Sequence, residues 1–181
     1  MKNILLRLSA LTAGICLAAQ LSHAQISASA TDFVTSASNA NMLAIMTSNL
    51  ALDKSRNRDI LEFAERMVDR HTRAANWLKK AAAETKTSAA LAKELDAEHQ
   101  KVLTELILSD PGRDFDQRYA RAQVDGHAQA MALLHNYSLI GEDNALRSFA
   151  RRALPSLKRH HAHIAKVQSK EGIFVTQQEG H

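Results

Sequence analysis

Between residues 58 and 85 the apolar residues recur with the period of an α-helix. Ile60, Phe63, Ala64, Met67, His71, Ala74, Ala75 and Leu78 fall on one face. Glu62 with Arg66, and Asp69 with Arg73, set opposite charges four residues apart on the outer face. An apolar stripe this long has to be covered by other helices, which commits the chain to a helical bundle. The stripe also holds a histidine. A titratable group among apolar neighbours costs free energy unless something partners it. What partners His71 is therefore the main functional question.

The rest of the chain repeats the helical pattern. A first helix is expected from Thr31 or Asp32 as cap to about Leu52, with Phe33, Ala37, Ala40, Ala44 and Ala51 inward and Met42, Leu43, Met46 and Leu50 broadening the stripe. Ser55 or Asn57 caps the second. A third is expected from Ala89 to Leu108, with Leu91, Leu95, Val102 and Leu106 on one side. Asp110-Pro111-Gly112 opens a fourth, which Gly141 stops; Asp143 caps a fifth to about Lys170. Pro155 lies inside the fifth segment and should kink or restart it. Glycine and proline are scarce, at 6 and 2, and no stretch alternates like a strand. The expectation is an all-α antiparallel bundle of four to five long helices.

Residues 1–24 read as a cleaved signal peptide. Lys2 and Arg7 precede an apolar run from Leu8 to Leu21, which ends in Ser22-His23-Ala24, with small residues where a signal peptidase cuts. The run is short for a membrane span. Cys16 follows Ile15, whereas lipid attachment wants a small residue there. The expected organisation is a signal peptide over 1–24, a flexible lead-in over 25–30, one bundle over 31–171 and a flexible tail over 172–181. Loss of Lys2 and Arg7 lowers the net charge from +4 to +2, which gives no argument for nucleic acid. The one cysteine leaves as well, so an exported domain would have neither disulfide nor thiol chemistry. The mature chain has no expected transmembrane segment, and its location is expected to be periplasmic.

Several polar residues fall on apolar faces. Asp116, Tyr119, Gln123 and His127 share one face of the fourth helix with Ala130, Met131 and Leu134. His160 follows Leu146, Phe149, Ala150, Ala153 and Leu157 on the fifth, and His99 lies between Leu95 and Val102. One reading is a transition-metal ion held by His71, His127 and His160, since imidazole suits zinc, copper or iron. The other, which the residues favour, is a buried hydrogen-bond network among His71, His127, Tyr119, Gln123 and Asp116. A di-iron carboxylate centre needs Glu-x-x-His motifs; the chain has none, and the nearest match is Asp96-x-x-His99. Counted from Gly141, His127 and His160 also fall about 7 Å apart along the axis, at about 1.5 Å per residue. His160, His161 and His163 read as a solvated basic face with Lys158 and Arg159, while His135 and His181 stand alone. A Gly-rich phosphate loop, a GxSxG motif, a cysteine nucleophile and a basic patch interleaved with aromatics are all absent.

Four pieces together resemble a known family. They are Phe63-Ala64-x-x-Met67-Val68-x-x-His71-Thr72, Phe115-Asp116-x-x-Tyr119, Gln123-x-x-x-His127 and Leu154-Pro155-x-Leu157-x-x-His160. They are similar to the secreted bacterial domain-of-unknown-function family 4142, over residues 32–170. The resemblance implies a ferritin-like bundle and an exported location, and little about activity. It also implies an aspartate directly before the second-helix histidine and a glutamate midway along the first helix. Here those positions are Arg70 and Ala44. Both departures remove carboxylates and weaken a metal-oxidase reading.

The sequence therefore points to an exported, non-enzymatic binding or structural envelope protein, stress-related in role, with an unidentified envelope partner or self-association. The alternative is a metal-binding storage or oxidoreductase protein using the core histidines. No cofactor is firmly indicated beyond that metal ion.

Overall fold

The structure, a computed structural model, describes residues 28–85 and 90–170. The signal peptide expected over 1–24, His181 and the tail over 172–181 lie outside the described residues. The described residues form five helices: α1 (Ala30–Lys54), α2 (Arg58–Ala83), α3 (Ala97–Leu108), α4 (Arg113–Ile140) and α5 (Asn144–Lys170). It is an all-α bundle. Among the described residues no helix is long and apolar enough to cross a membrane.

The four long helices pack in a closed ring, α1 on α2, α2 on α5, α5 on α4 and α4 on α1, with α3 against α1 and α4. Neighbours run antiparallel. Turns at residues 55–57 and 141–143 join α1 to α2 and α4 to α5. Lys170 Nζ meets Asp59 Oδ2 at 2.8 Å, which sets the end of α5 beside the start of α2. Lys54, ending α1, donates from Nζ to the carbonyls of Leu106, Ile107 and Ser109 at 3.2, 2.6 and 2.7 Å. That contact satisfies the last carbonyls of α3 with a cation, as a helix C-terminus favours. At the other end, Ala28 pairs with the α4–α5 turn: its N–H donates to Ile140 O, and its carbonyl accepts from Glu142 N–H. Of the lead-in expected over 25–30, residues 28–30 are thus held in place, and 25–27 lie outside the described residues.

Caps explain most boundaries. Ser29, rather than Thr31 or Asp32, caps α1, accepting from Asp32 N–H. Asn57 caps α2 through Asp59 N–H and Ile60 N–H, and Asp143 accepts from Leu146 N–H at the start of α5. Two expectations fail. One is of detail: of the two outcomes expected at Pro155, the restart does not occur, and α5 runs through the proline as one helix. α3 begins at Ala97, not Ala89, because the preceding segment spends its backbone on α1. Ala92 N–H donates to Ser38 Oγ and Asp96 N–H to Asn39 Oδ1, at 2.8 and 2.9 Å. Amides used in this way cannot make helical bonds, and Asp96 then caps α3 through His99 N–H.

The core has two apolar halves. One gathers Phe33, Val34, Leu78, Leu134, Tyr137, Leu146, Phe149 and Leu157; the other gathers Ile60, Phe63, Met67, Leu106, Phe115, Tyr119 and Ile164. Burying a Leu, Ile or Phe side chain contributes about 1.5–3 kcal/mol, so these two clusters hold the bundle. Between them each long helix places polar groups: Asn41 on α1, His71 on α2, Gln123 and His127 on α4, His160 on α5. The bundle has a polar waist.

Candidate metal centre

His71 comes from the middle of the α2 stripe, where the helical period turns it inward with Met67 and Leu78. His127 stands one turn beyond Gln123 on α4, and His160 one turn short of Ile164 on α5. His71 and His127 are buried and His160 is half-buried. Their rings form a nearly equilateral triangle. Centroids lie 5.4 Å apart for His71–His127, 5.8 Å for His71–His160 and 5.7 Å for His127–His160.

The axial offset expected between His127 and His160 is closed. His127 lies 13 residues before the end of α4 and His160 lies 16 after the start of α5, an offset of about 5 Å at about 1.5 Å per residue. The turn adds no helical rise. Helical side chains lean toward their own N-termini, so His127 reaches away from the turn and His160 toward it.

Hydrogen bonds orient each ring. His71 Nδ1–H donates to Asn41 Oδ1 at 2.8 Å, and His127 Nδ1–H donates to the carbonyl of Gln123 at 2.7 Å. Both partners accept only, which leaves each Nε2 a lone pair. Ser156 Oγ holds His160 Nε2 at 3.2 Å. The remaining nitrogens, His71 Nε2, His127 Nε2 and His160 Nδ1, are buried without a hydrogen-bond partner. One nitrogen from each of the three rings lies within 4.8 Å of the other two. Burial pushes His71 down to about 3 and His127 and His160 down to about 4; His127 and His160 add to the shift of His71, His127 to that of His160, and His161 to that of His127, so all three are neutral near neutral pH.

Of the hydrogen-bond network expected among the core polar residues, the link from His127 to the Gln123 carbonyl forms, while the Gln123 and Tyr119 side chains turn to α1. Gln123 Nε2–H donates to Thr47 Oγ1 at 2.9 Å, which passes its own proton to Leu43 O. Tyr119 Oη pairs with Ser48 Oγ at 2.9 Å, and burial pushes the phenol well above its usual range. The polar face of α4 is thus answered by hydroxyls of α1, and the histidines are left to each other. Asp116 is buried in the first turn of α4, below Tyr119. Asn41, Thr47, Ser48 and Ser156 are functional neighbours that sequence reasoning missed. Asn41 carried a signal, since it falls between Ala37 and Ala44 on the buried face of α1.

The other histidines are elsewhere. His99 bonds Asp96 Oδ1 through Nδ1 at 2.7 Å, so the Asp96-x-x-His99 pair is a helix cap. His135 is exposed and His161 half-buried, and His163 lies edge-on to Phe63 at 5.4 Å. The basic face expected for His160, His161 and His163 therefore loses His160 to the core.

A cavity of about 210 Å³ between α1 and α4 reaches this centre. Ala40, Leu43, Ala44, Gly126 and Ala130 line its walls, together with His71, His127 and His99. Small side chains at 40, 44, 126 and 130 create it.

A sequence-family model described as Domain of unknown function (DUF4142) matches residues 17–167. The chain belongs to the DUF4142 family. No curated protein and no solved structure matches it. The site of this DUF4142 chain has to be judged on its own donors. Three neutral imidazoles with no carboxylate among them do not fit a di-iron carboxylate centre, which requires bridging glutamates. They fit one ion of a metal that takes imidazole nitrogen. Metal–nitrogen bonds of about 2.0–2.1 Å allow two ligands at most about 4.2 Å apart. Binding would draw the nitrogens inward by about half an ångström or somewhat more.

Proposed function

We propose that this DUF4142 chain is an exported metal-binding bundle that holds one zinc or copper ion through His71, His127 and His160. The observation that carries the reading is the pairing of buried acceptors without a donor. A hydrogen-bond network sets a donor opposite each acceptor. Here the lone pairs of His71 and His127 face each other and His160, and no donor bonds to either. Buried polar atoms in this state cost free energy, and a cation shared by all three removes that cost. Asn41, the Gln123 carbonyl and Ser156 supply the outer hydrogen bonds that orient ligating imidazoles.

The centre suits binding with an open position rather than storage. It offers three ligands from three helices, and the cavity along α1 and α4 leaves room for a water or small ligand as the fourth. The bundle's single long connection, from α2 through α3 to α4, is of the type used by ferritin-like folds, which supports placing the fold there. Export is supported by the basic start, the apolar run and the small residues at 22 and 24.

The test is elemental analysis of untagged protein beginning at Gln25, purified from its native compartment, beside a His71→Ala/His127→Ala variant. One zinc or copper per chain, lost in the variant, is the expected result. Metal below a tenth of an equivalent in both samples would overturn the reading. The N-terminal mass of the native protein tests export in the same preparation.

A further inference from the structure

His160 faces two ways. It belongs to the three-histidine group, with Nδ1 buried and unpartnered and Nε2 bonded to Ser156, while its ring also lines a second cleft, of about 240 Å³, between α2 and α5. That cleft is formed by Arg66, Met67, Arg70, Ser156, Arg159, His160 and His163, with no carboxylate in its lining. Carboxylates near it are already engaged: Asp59, which with Glu62 acts on His163, is held by Lys170 at 2.8 Å. Glu62 is held by Arg58 at 3.1 Å and Asp69 by Arg73 at 2.8 Å. Arg66 and Arg70 reach those same groups only at 3.9 and 3.8 Å. Arg159 has no ion pair among the described residues. Three guanidinium groups thus border one cleft with their charge poorly compensated. Guanidinium forks match tetrahedral oxyanions in geometry and charge.

We propose that this cleft binds a small oxyanion of the phosphate or sulfate class, and that oxyanion and metal strengthen each other's binding. The second half rests on the metal reading above; the first does not. Two links connect the sites. An ion on His160 Nδ1 fixes the proton on Nε2, which then donates to Ser156 Oγ. The Ser156 hydroxyl proton is left to donate into the cleft. The metal, held by three neutral ligands, brings uncompensated positive charge close to Arg70 and Arg159, which already act on His160. An anion in the cleft offsets that charge, and by linkage the gain is reciprocal.

The experiment titrates inorganic sulfate, which does not precipitate zinc, into the full chain by calorimetry, first metal-free and then zinc-loaded. The comparison is Arg70→Gln/Arg159→Gln, which keeps all three histidines. Saturable one-to-one binding to metal-free wild type, weakened about tenfold or more in the variant, is expected. Zinc should bind at least about fivefold tighter with sulfate present in wild type, at the low end of measured allosteric couplings, and equally with or without it in the variant. No saturable sulfate binding, or binding unchanged in the variant, overturns the site. Sulfate binding with zinc affinity unmoved overturns the coupling. Absence of zinc binding in every sample defeats the metal reading, while the metal-free titration still decides the anion site. Sedimentation with phosphatidylglycerol vesicles separates the two sources of the anion. Retention that sulfate competes away identifies a lipid headgroup in the same cleft. Retention that sulfate does not affect, with no sulfate binding in solution, overturns the cleft as the site.

Discussion

Asn41 Oδ1 accepts the Nδ1 proton of His71 at 2.8 Å across the α1–α2 interface, and this one bond decides which nitrogen of His71 faces the centre of the bundle. Removing such an outer partner costs metal sites about 10–100-fold in affinity. Asn41→Ala should weaken zinc or copper binding by that factor. In metal-free protein it should lower stability by about 1–3 kcal/mol, because a buried N–H loses its acceptor. Asn41→Asp keeps an acceptor and adds negative charge, so its metal affinity should equal or exceed wild type. Competition against a chromogenic chelator checks both variants. Equal metal affinity in Asn41→Ala would show that the His71 ring is oriented by packing alone.

Metal should be visible as stability. A ligand at about a hundred times its Kd stabilises the folded state by about 2.7 kcal/mol. In a domain of this size each kcal/mol raises Tm by about 2–4 °C. Zinc added to chelator-treated protein should raise Tm by about 5–10 °C. His71→Ala/His127→Ala should melt at the same temperature with and without zinc. A scanning-calorimetry series with and without chelator checks this.

The long elements were readable because their burial follows the helical period. The stripe from Ile60 to Leu78 is buried or half-buried at every expected position, with His71 among them. α3 was misread at its start because Leu91 and Leu95 keep helical spacing. Their segment is irregular for a reason no local pattern carries: Ser38 and Asn39, more than fifty residues earlier, take its amides. The partners of Tyr119 and Gln123 were hidden likewise, since Ser48 and Thr47 sit on a helix whose face alternates alanine with small polar groups. The three histidines were each visible as oddities. Their convergence depended on side-chain lean and turn geometry, which residue counting along two helices does not contain.

Two glycines should respond to alanine with opposite signs. A Cβ on Gly141 would meet the Tyr137 ring at 2.4 Å and the Tyr137 carbonyl at 2.6 Å. Tyr137 is itself stacked on Phe33 at 3.9 Å and has no room to retreat. Gly141→Ala should lose about 1–3 kcal/mol, in the range of overpacked cores. A Cβ on Gly126 meets nothing within 4 Å, and the residue is inside α4. Gly126→Ala should gain about 0.5–1 kcal/mol through lower backbone entropy in the unfolded chain. Urea unfolding of the two variants reads both signs, and a loss at Gly126 would mean that the cavity wall there is already full.

Acid should act through the same three histidines, in metal-free and metal-loaded protein alike. Their folded pKa values, about 3 for His71 and about 4 for His127 and His160, lie below the 6.5 of a free imidazole. Below about pH 6.5 the unfolded chain therefore binds protons that the folded chain does not, and stability falls as pH falls. The contribution is fully present above pH 6.5 and is lost progressively down to about pH 4 for His127 and His160 and about pH 3 for His71. Each of the buried pair His71 and His127 adds up to about 1.4 kcal/mol per pH unit within that window, and the partly exposed His160 acts in the same direction. Metal deepens the dependence, because protons compete directly for the ligating nitrogens. Denaturant midpoints measured from pH 7.5 to 4.5 should drop steeply in wild type. In His71→Gln/His127→Gln, where the titrating groups are gone, the slope should flatten by about two protons. An unchanged slope in that variant would place the acid sensitivity outside the polar waist.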